Sequence, residues 1–209
     1  MQPSDGSAGS GCFREYGLFI RPVLDDNLFF SGEYNDIKNN PGAYTKEEIN
    51  KKLTSANYEY VDLGLPSKTL WAKCNVGATV ETDRGNSYMF GSGSRQYNSS
   101  DPIFYGNGES ELLLPNDTAT QVMGLAWHMP SEAQYNELLA NTTRTYIANF
   151  NDSGVGGIKF TSQNGAYVFF PYKQNNTSYG DYWSSTFASY DGLGRIFCFS
   201  GSDPYMANV

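Results

Sequence analysis

The sequence is poor in charged residues, and the charges it has are mostly negative. Only 17% of its 209 residues are charged, and the formal net charge is −8. Without a basic run, such a chain is a poor binder of nucleic acids and of anionic membrane surfaces. No apolar stretch approaches the ~20 residues that a spanning helix needs. The composition therefore predicts no nucleic-acid partner and no membrane insertion.

Cysteine and histidine are too few for the commonest metal and catalytic sites. The three cysteines, Cys12, Cys74 and Cys198, have no C-x-x-C spacing, which argues against a zinc site or a disulfide framework. A Cys12–Cys198 bridge and three free thiols both fit this count, and we favour free thiols. The one histidine, His128, precedes a predicted helix, where a packed structural residue is more common than a catalytic base. No G-x-S-x-G motif is present, and we predict no enzymatic activity, no cofactor and no required metal.

The chain is rich in tyrosine (16), phenylalanine (13) and glycine (22). Aromatic residues favour strands, and glycine, asparagine and serine favour turns, so we predict an α+β fold with many short strands and long ordered loops. The same mixture is typical of antibody paratopes, in which tyrosine supplies contact area and small polar residues adapt to the ligand. A plain β-rich domain and a binding surface both fit this composition.

The chain divides into four segments by composition. Residues 1–11 are small and polar, like a flexible leader or linker, and contain no apolar segment of a signal peptide. Residues 12–23 alternate as a strand that ends at Pro22. Residues 24–56 form a turn-rich connector, and the globular body occupies 57–209.

Two helices and several strands are predicted. In the connector, Thr45 and Glu48 form a capping box, and this short helix must pack on its own domain or in a trimer through residues 44–54. In the body, Ser131 and Gln134 form a second capping box. Residues 79–126 are mostly irregular. The predicted strands and hairpin of the body are YEYVDLGL (58–65), TLWAKCNVG (69–77), the hairpin turning at Asn164-Gly165, DYWSS (181–185) and GRIFCFSG (194–201).

Four ordered motifs of the body resemble a bacterial family. They are YVDLGLPSKTLWAKCNVGAT (60–79), WHMPSEAQYNELL (127–139), KFTSQNGAYVFFP (159–171) and YWSS (182–185). Together they resemble the paralogous domain family named after Fibrobacter succinogenes, within the C-type-lectin-like group that also includes formylglycine-generating enzymes. The resemblance implies a C-type-lectin-like fold with mixed or antiparallel sheets. We expect Trp71, Trp127 and Trp183, which lie in these motifs, to pack in the core.

One family motif is displaced. The family ends in a strand similar to YGLFIRPV, which here lies at residues 16–23, while the chain stops at PYMANV. Either the chain is circularly permuted, or the N-terminal strand belongs to a preceding repeat and completes the body in cis or in trans. Both explanations predict that residues 13–21 pair with the sheet of the body.

Two further resemblances concern function. FSGEYNDIKNNP (30–41) and AYTKEEINKKL (43–53) look like connectors of phage tail-fibre proteins, which implies a trimeric, fibre-mounted tip. The stretch after Trp183 corresponds to the variable region of lectin-like proteins diversified by retroelements. Most of its residues are reachable from an Asn codon by changes of adenine alone; Met206 and Glu15 are not.

These observations predict a non-enzymatic module that binds a cell-surface protein or glycan, on a phage tail fibre or at the bacterial surface. The true lectin tripeptides Glu-Pro-Asn and Gln-Pro-Asp are absent, so we do not expect calcium-dependent sugar binding. The alternatives are a bacterial adhesin with the same domain and, less favoured, an enzyme of the formylglycine-generating type. The predicted ligand-binding residues are Tyr190, Asp191, Leu193, Arg195, Phe197, Ser200, Asp203, Tyr205, Phe13 and Glu15.

Overall fold

The computed structural model describes residues 18–24, 58–91, 110–124, 126–173, 178–188, 194–200 and 203–208. The predicted connector helix and its trimer contact at 44–54 lie outside these residues. The α-helices of the described part are α1 (Thr118–Met123) and α2 (Glu132–Asn141). The strands are β1 (Val23–Leu24), β2 (Tyr60–Asp62), β3 (Leu70–Ala72), β4 (Trp127–His128), β5 (Thr142–Ile147), β6 (Gly157–Ser162), β7 (Tyr167–Pro171), β8 (Tyr179–Phe187), β9 (Gly194–Ser200) and β10 (Asp203–Asn208).

The strands form three antiparallel sheets. Their orders are β2-β3-β1-β4, β5-β6-β7 and β10-β9-β8. One parallel bridge, between Phe19 and Tyr182, joins the N-terminal segment to β8. The described residues are thus mostly antiparallel β-sheet with two α-helices, as the predicted α+β class requires.

Helix α2 begins where the sequence predicts. The Ser131 hydroxyl accepts a hydrogen bond from the Gln134 backbone N–H, and the Gln134 side chain accepts one from the Ser131 backbone. This reciprocal pair satisfies two of the donors that a helix N-terminus leaves open. Tyr135 and Leu138, three residues apart on one face, are fully buried. The predicted capping box is confirmed.

The predicted hairpin at Asn164-Gly165 is also confirmed, between β6 and β7. Gly165 has a φ of +85°, a conformation that glycine adopts without steric cost. The Asn164 side-chain oxygen accepts a hydrogen bond from the Ala166 N–H at 2.8 Å, and the side-chain nitrogen donates one to the Asp62 backbone carbonyl at 3.3 Å. The asparagine therefore closes its own turn and fixes the hairpin to the loop after β2.

Helix α1 is a regular element that the sequence analysis did not predict within residues 79–126, which it expected to be mostly irregular. Asp117 is its N-cap, accepting from the Thr120 N–H at 3.0 Å, and its second oxygen accepts from the Met129 N–H at 2.8 Å. Burial raises the pKa of Asp117, and the backbone donors oppose that rise. One buried carboxylate thus starts the helix and also holds the chain that leads into α2.

Residues 18–24 lie inside the body. Val23 pairs with Trp71 of β3 and with His128 of β4, so β1 lies between two strands that do not pair with each other. Arg21 is fully buried and donates to the main-chain carbonyls of Lys73 and Phe169. The expectation of one continuous strand over 12–23 needs correction within the described part, because only Val23–Leu24 is regular strand and Leu18 and Phe19 form isolated bridges.

The core consists of two clusters on opposite faces of the β8-β9-β10 sheet. Ile196 and Cys198 belong to one cluster, and Phe197 and Phe199 belong to the other. Alternate residues of a strand point to opposite faces, so β9 is buried on both sides. All three tryptophans are buried, as the sequence predicts: Trp71, Trp127 and Trp183 are at most 5% exposed.

Candidate ligand-binding face

The sheet of β8, β9 and β10 carries the described part of the predicted binding region. Ser200 lies opposite Tyr179 on one side and opposite Asp203 on the other. Cys198 lies opposite Tyr205 in the next row of the same face. Residues directly opposite each other in antiparallel strands project from the same face. Tyr179, Ser200, Asp203 and Tyr205 therefore share one face at one end of the sheet, and we call this group the Tyr205 face.

The Tyr205 face is accessible where the rest of the sheet is buried. Tyr205 is 53% exposed and Tyr179 is 38% exposed, and Ser200 and Asp203 are also exposed. Just behind them, Cys198 and the aromatic residues of β9 are buried. The sheet is thus a fixed platform whose open end presents two phenol rings, a hydroxyl and a carboxylate.

Tyr179 is a member of this face that the sequence analysis did not include. It lies before the YWSS motif, outside the predicted variable region, and only the β8–β9 register brings it beside Ser200. Lys173 contacts this end of the sheet, with its ammonium 3.4 Å from an Asp181 carboxylate oxygen and 6.0 Å from the Tyr179 ring centre. The signal in the sequence that could have identified Tyr179 was an aromatic residue close to a turn.

The structure corrects the predicted role of Phe197. Its side chain is 0% exposed and stacks on Tyr135 of α2, with ring centres 4.5 Å apart and planes at 9°. Phe197 and Ser200 are three residues apart on one strand, so their side chains project from opposite faces. Phe197 is a core residue and cannot anchor an external ligand on this face.

Arg195 is also separated from the Tyr205 face. It projects from the Phe197 side of the sheet, where one guanidinium nitrogen lies 2.8 Å from Glu132 and another donates to the Asn208 side chain at 3.0 Å. These contacts join the first turn of α2 to the ends of β9 and β10. The structure therefore brings Ser200, Asp203 and Tyr205 together and places Arg195 elsewhere.

Five predicted ligand-binding residues lie outside the described part of the chain. They are Phe13, Glu15, Tyr190, Asp191 and Leu193.

Three titratable side chains of the described residues, those of His128, Cys74 and Tyr182, have a defined contact or a raised pKa. The His128 ring nitrogen Nδ1 lies 2.9 Å from the Met129 carbonyl, which fits a packed residue. Burial raises the pKa of the Cys74 thiol, which lowers the fraction of thiolate at neutral pH. Burial raises the pKa of Tyr182 to about 12, and its hydroxyl donates to the Pro171 carbonyl at 2.9 Å.

Within the described ranges, no group of three or more His, Cys, Asp or Glu side chains is arranged to hold a metal ion. No helix in the described part is long and apolar enough to cross a membrane. No family model, curated protein or solved structure matches the chain.

Proposed function

We propose that the chain is a non-enzymatic receptor-binding module with a C-type-lectin-like fold, mounted on a phage tail fibre, that binds a protein or glycan on the bacterial surface. The observation that supports this proposal is the Tyr205 face. It combines exposed aromatic and polar side chains with a sheet buried on both sides behind them. A rigid scaffold lets exposed residues change without refolding the protein.

Sequence variation in such a module is limited by burial. Ser200, Asp203 and Tyr205 are exposed and reachable from an Asn codon, so we propose them as variable binding positions. Phe197 and Cys198 are reachable in the same way, but they lie in the core. Substitutions there would create cavities or overpacking that cost about 1–5 kcal/mol. We therefore propose that diversification is tolerated on the Tyr205 face and selected against beneath it.

A ligand on this face would make its main contacts with the rings of Tyr179 and Tyr205. Tyrosine and tryptophan are enriched among residues that dominate binding energy, because they bury a large area with few rotatable bonds. Asp203 supplies a carboxylate that accepts hydrogen bonds from hydroxyl or amine groups. Three copies on one fibre would raise the apparent affinity without any new contact.

The test is binding of fluorescently labelled protein to a panel of bacterial cells, measured by flow cytometry. Tyr205→Ala is expected to weaken binding at least tenfold, because loss of a binding anchor costs about 2 kcal/mol or more. Tyr60→Ala is the matched control, since Tyr60 is 56% exposed but belongs to another sheet. Its binding should change less than twofold.

Two results would contradict the proposal. Equal binding by the wild type and Tyr205→Ala would exclude the Tyr205 face as the recognition surface. Absence of binding to every cell type in the panel, by a protein with a cooperative unfolding transition, would count against the receptor-binding function itself.

A further inference from the structure

A cavity of about 390 Å³ lies beside β2 and β3, and none of the residues of the Tyr205 face lines it. Its volume falls in the range of small-molecule sites, which is roughly 300–1,000 Å³. The buried side chains of Ala72, Ala78 and Met123 line it, and Tyr58 lines it at the exposed edge. The Tyr58 ring lies edge-on to Trp127 with ring centres 6.1 Å apart, which fixes its orientation. We call this space the Glu81 cavity.

The charged groups that line the cavity leave one carboxylate without a cation. The Lys73 ammonium lies 2.6 Å from Glu59, so these two charges neutralise each other. Glu81 lies near Tyr167: burial and then the charge of Glu81 raise the pKa of the Tyr167 hydroxyl. Among the described residues no lysine or arginine forms an ion pair with Glu81.

A second cation, Arg21, lies close to the Glu81 cavity, but its side chain cannot contact a ligand there. Arg21 is fully buried behind the cavity, and it donates to the main-chain carbonyls of Ala72, Lys73 and Phe169. Its charge acts on Glu81 through the protein. Its side chain supplies no donor to the cavity, because the guanidinium is enclosed by main chain and by the Phe170 ring 4.9 Å away.

Asn75 is a buried polar residue at the wall of the cavity. It lines the cavity and is 2% exposed. Its amide nitrogen donates to the Arg84 carbonyl at 2.9 Å and to the Tyr182 hydroxyl at 3.3 Å, whereas its amide oxygen has no partner. A buried acceptor without a donor costs about 1–3 kcal/mol. This oxygen is itself enclosed and does not face the cavity, so among the described residues Glu81 is the lining carboxylate that has no ion-pair partner.

We propose that the Glu81 cavity binds a small organic cation: a protonated amine on an apolar body, with its ammonium directed to Glu81 and its body against Met123 and Tyr58. An ammonium supplies the positive charge and the hydrogen-bond donors that Glu81 lacks, and the Tyr58 ring attracts it further through its π-electrons. A bare metal ion fits less well, since it leaves the apolar lining uncovered. This site is separate from the proposed receptor-binding face.

The first test compares three ligands of the same shape by titration into ¹⁵N-labelled protein. Phenethylammonium is expected to bind at least about fivefold more tightly than 2-phenylethanol or phenylacetate, with amide shifts at residues 58–59, 72–81 and 123. Glu81→Gln should remove this preference. Asp203→Asn, which changes the net charge equally on the far sheet, should retain it.

Equal affinity for the three ligands, shifts elsewhere in the protein, or an unchanged preference in Glu81→Gln would overturn the proposal.

A second measurement needs no variant. Cys74 lines the cavity and is half-buried, whereas Cys198 is buried and serves as an internal reference. Phenethylammonium should slow iodoacetamide alkylation of Cys74 at least threefold, read by peptide mass spectrometry. Phenylacetate should leave the rate unchanged, and protection by both or by neither contradicts the proposal.

Discussion

Trp183 offers the sharpest test of the fold. Its side chain is 1% exposed and packs against Phe90, with ring centres 5.1 Å apart. Its indole N–H donates to the Tyr88 carbonyl at 2.7 Å, and its backbone N–H donates to the Phe19 carbonyl at 3.0 Å. Trp183 thus contacts both the core and the N-terminal segment. Replacing it by alanine or by phenylalanine separates the contribution of the ring from that of the N–H group.

The expected loss of stability differs between the two replacements. Trp183→Ala removes the whole ring from a fully buried site, which costs about 3–5 kcal/mol. Trp183→Phe keeps one ring and removes the N–H donor. The Tyr88 carbonyl still accepts from the Leu18 N–H at 2.9 Å. The lost hydrogen bond therefore costs only about 1 kcal/mol, and the total for Trp183→Phe is about 2 kcal/mol with the smaller ring.

The measurement is equilibrium unfolding in urea, followed by far-UV circular dichroism. A loss of about 3–5 kcal/mol is a fifth or more of the roughly 5–15 kcal/mol that stabilises an ordinary protein, so the midpoint should fall clearly. The exposed Tyr60→Ala serves as the control, with a change within about 0.5 kcal/mol. A loss below about 1 kcal/mol for Trp183→Ala would refute the burial. Equal losses for the two replacements would refute the assignment of most of the energy to the ring.

Three other changes test local contacts. A double-mutant cycle on Glu132 and Arg195 should give a coupling of about 0.5–1 kcal/mol, since their side chains are 30% and 23% exposed, and zero coupling would contradict the ion pair. Gly180→Ala should destabilise by about 1–3 kcal/mol, because the new Cβ would lie 2.3 Å from the Phe199 ring; an unchanged thermal midpoint would contradict this packing. Ser131→Ala should cost about 1 kcal/mol, which urea unfolding can detect, and Ser131→Asp should restore it as an alternative cap.

Local signals predicted the elements that depend on neighbouring residues. The α2 cap needs only Ser131 and Gln134, three residues apart, and the β6–β7 turn needs only Asn164 and Gly165. Helix α1 has only six residues, and the Asp117 side chain that caps it also bonds to Met129, twelve residues later. Such a contact across the fold cannot be read from a short stretch of sequence.

The binding face was predicted less well for a related reason. Alternation along a strand shows which residues share a face, but it does not show whether a face is covered. Phe197 and Ser200 both belong to β9, which is buried on both faces until its last residue. Strand β5 was missed because TTRTYI has no clear alternation, and its pairing with β6 defines it. Tyr179 joined the face only through register with Ser200.

The position of β1 has a consequence for the order of folding. Arg21 bonds to main-chain carbonyls 52 and 148 residues away, and Val23 supplies the middle strand between β3 and β4. Closing such long loops costs entropy before the contacts compensate for it. The hairpins β5–β6–β7 and β8–β9–β10 can form from nearby residues, whereas the first sheet must wait for a distant segment. We therefore expect residues 18–24 to dock late, so a chain that is still folding exposes the edges of β3 and β4 until they arrive.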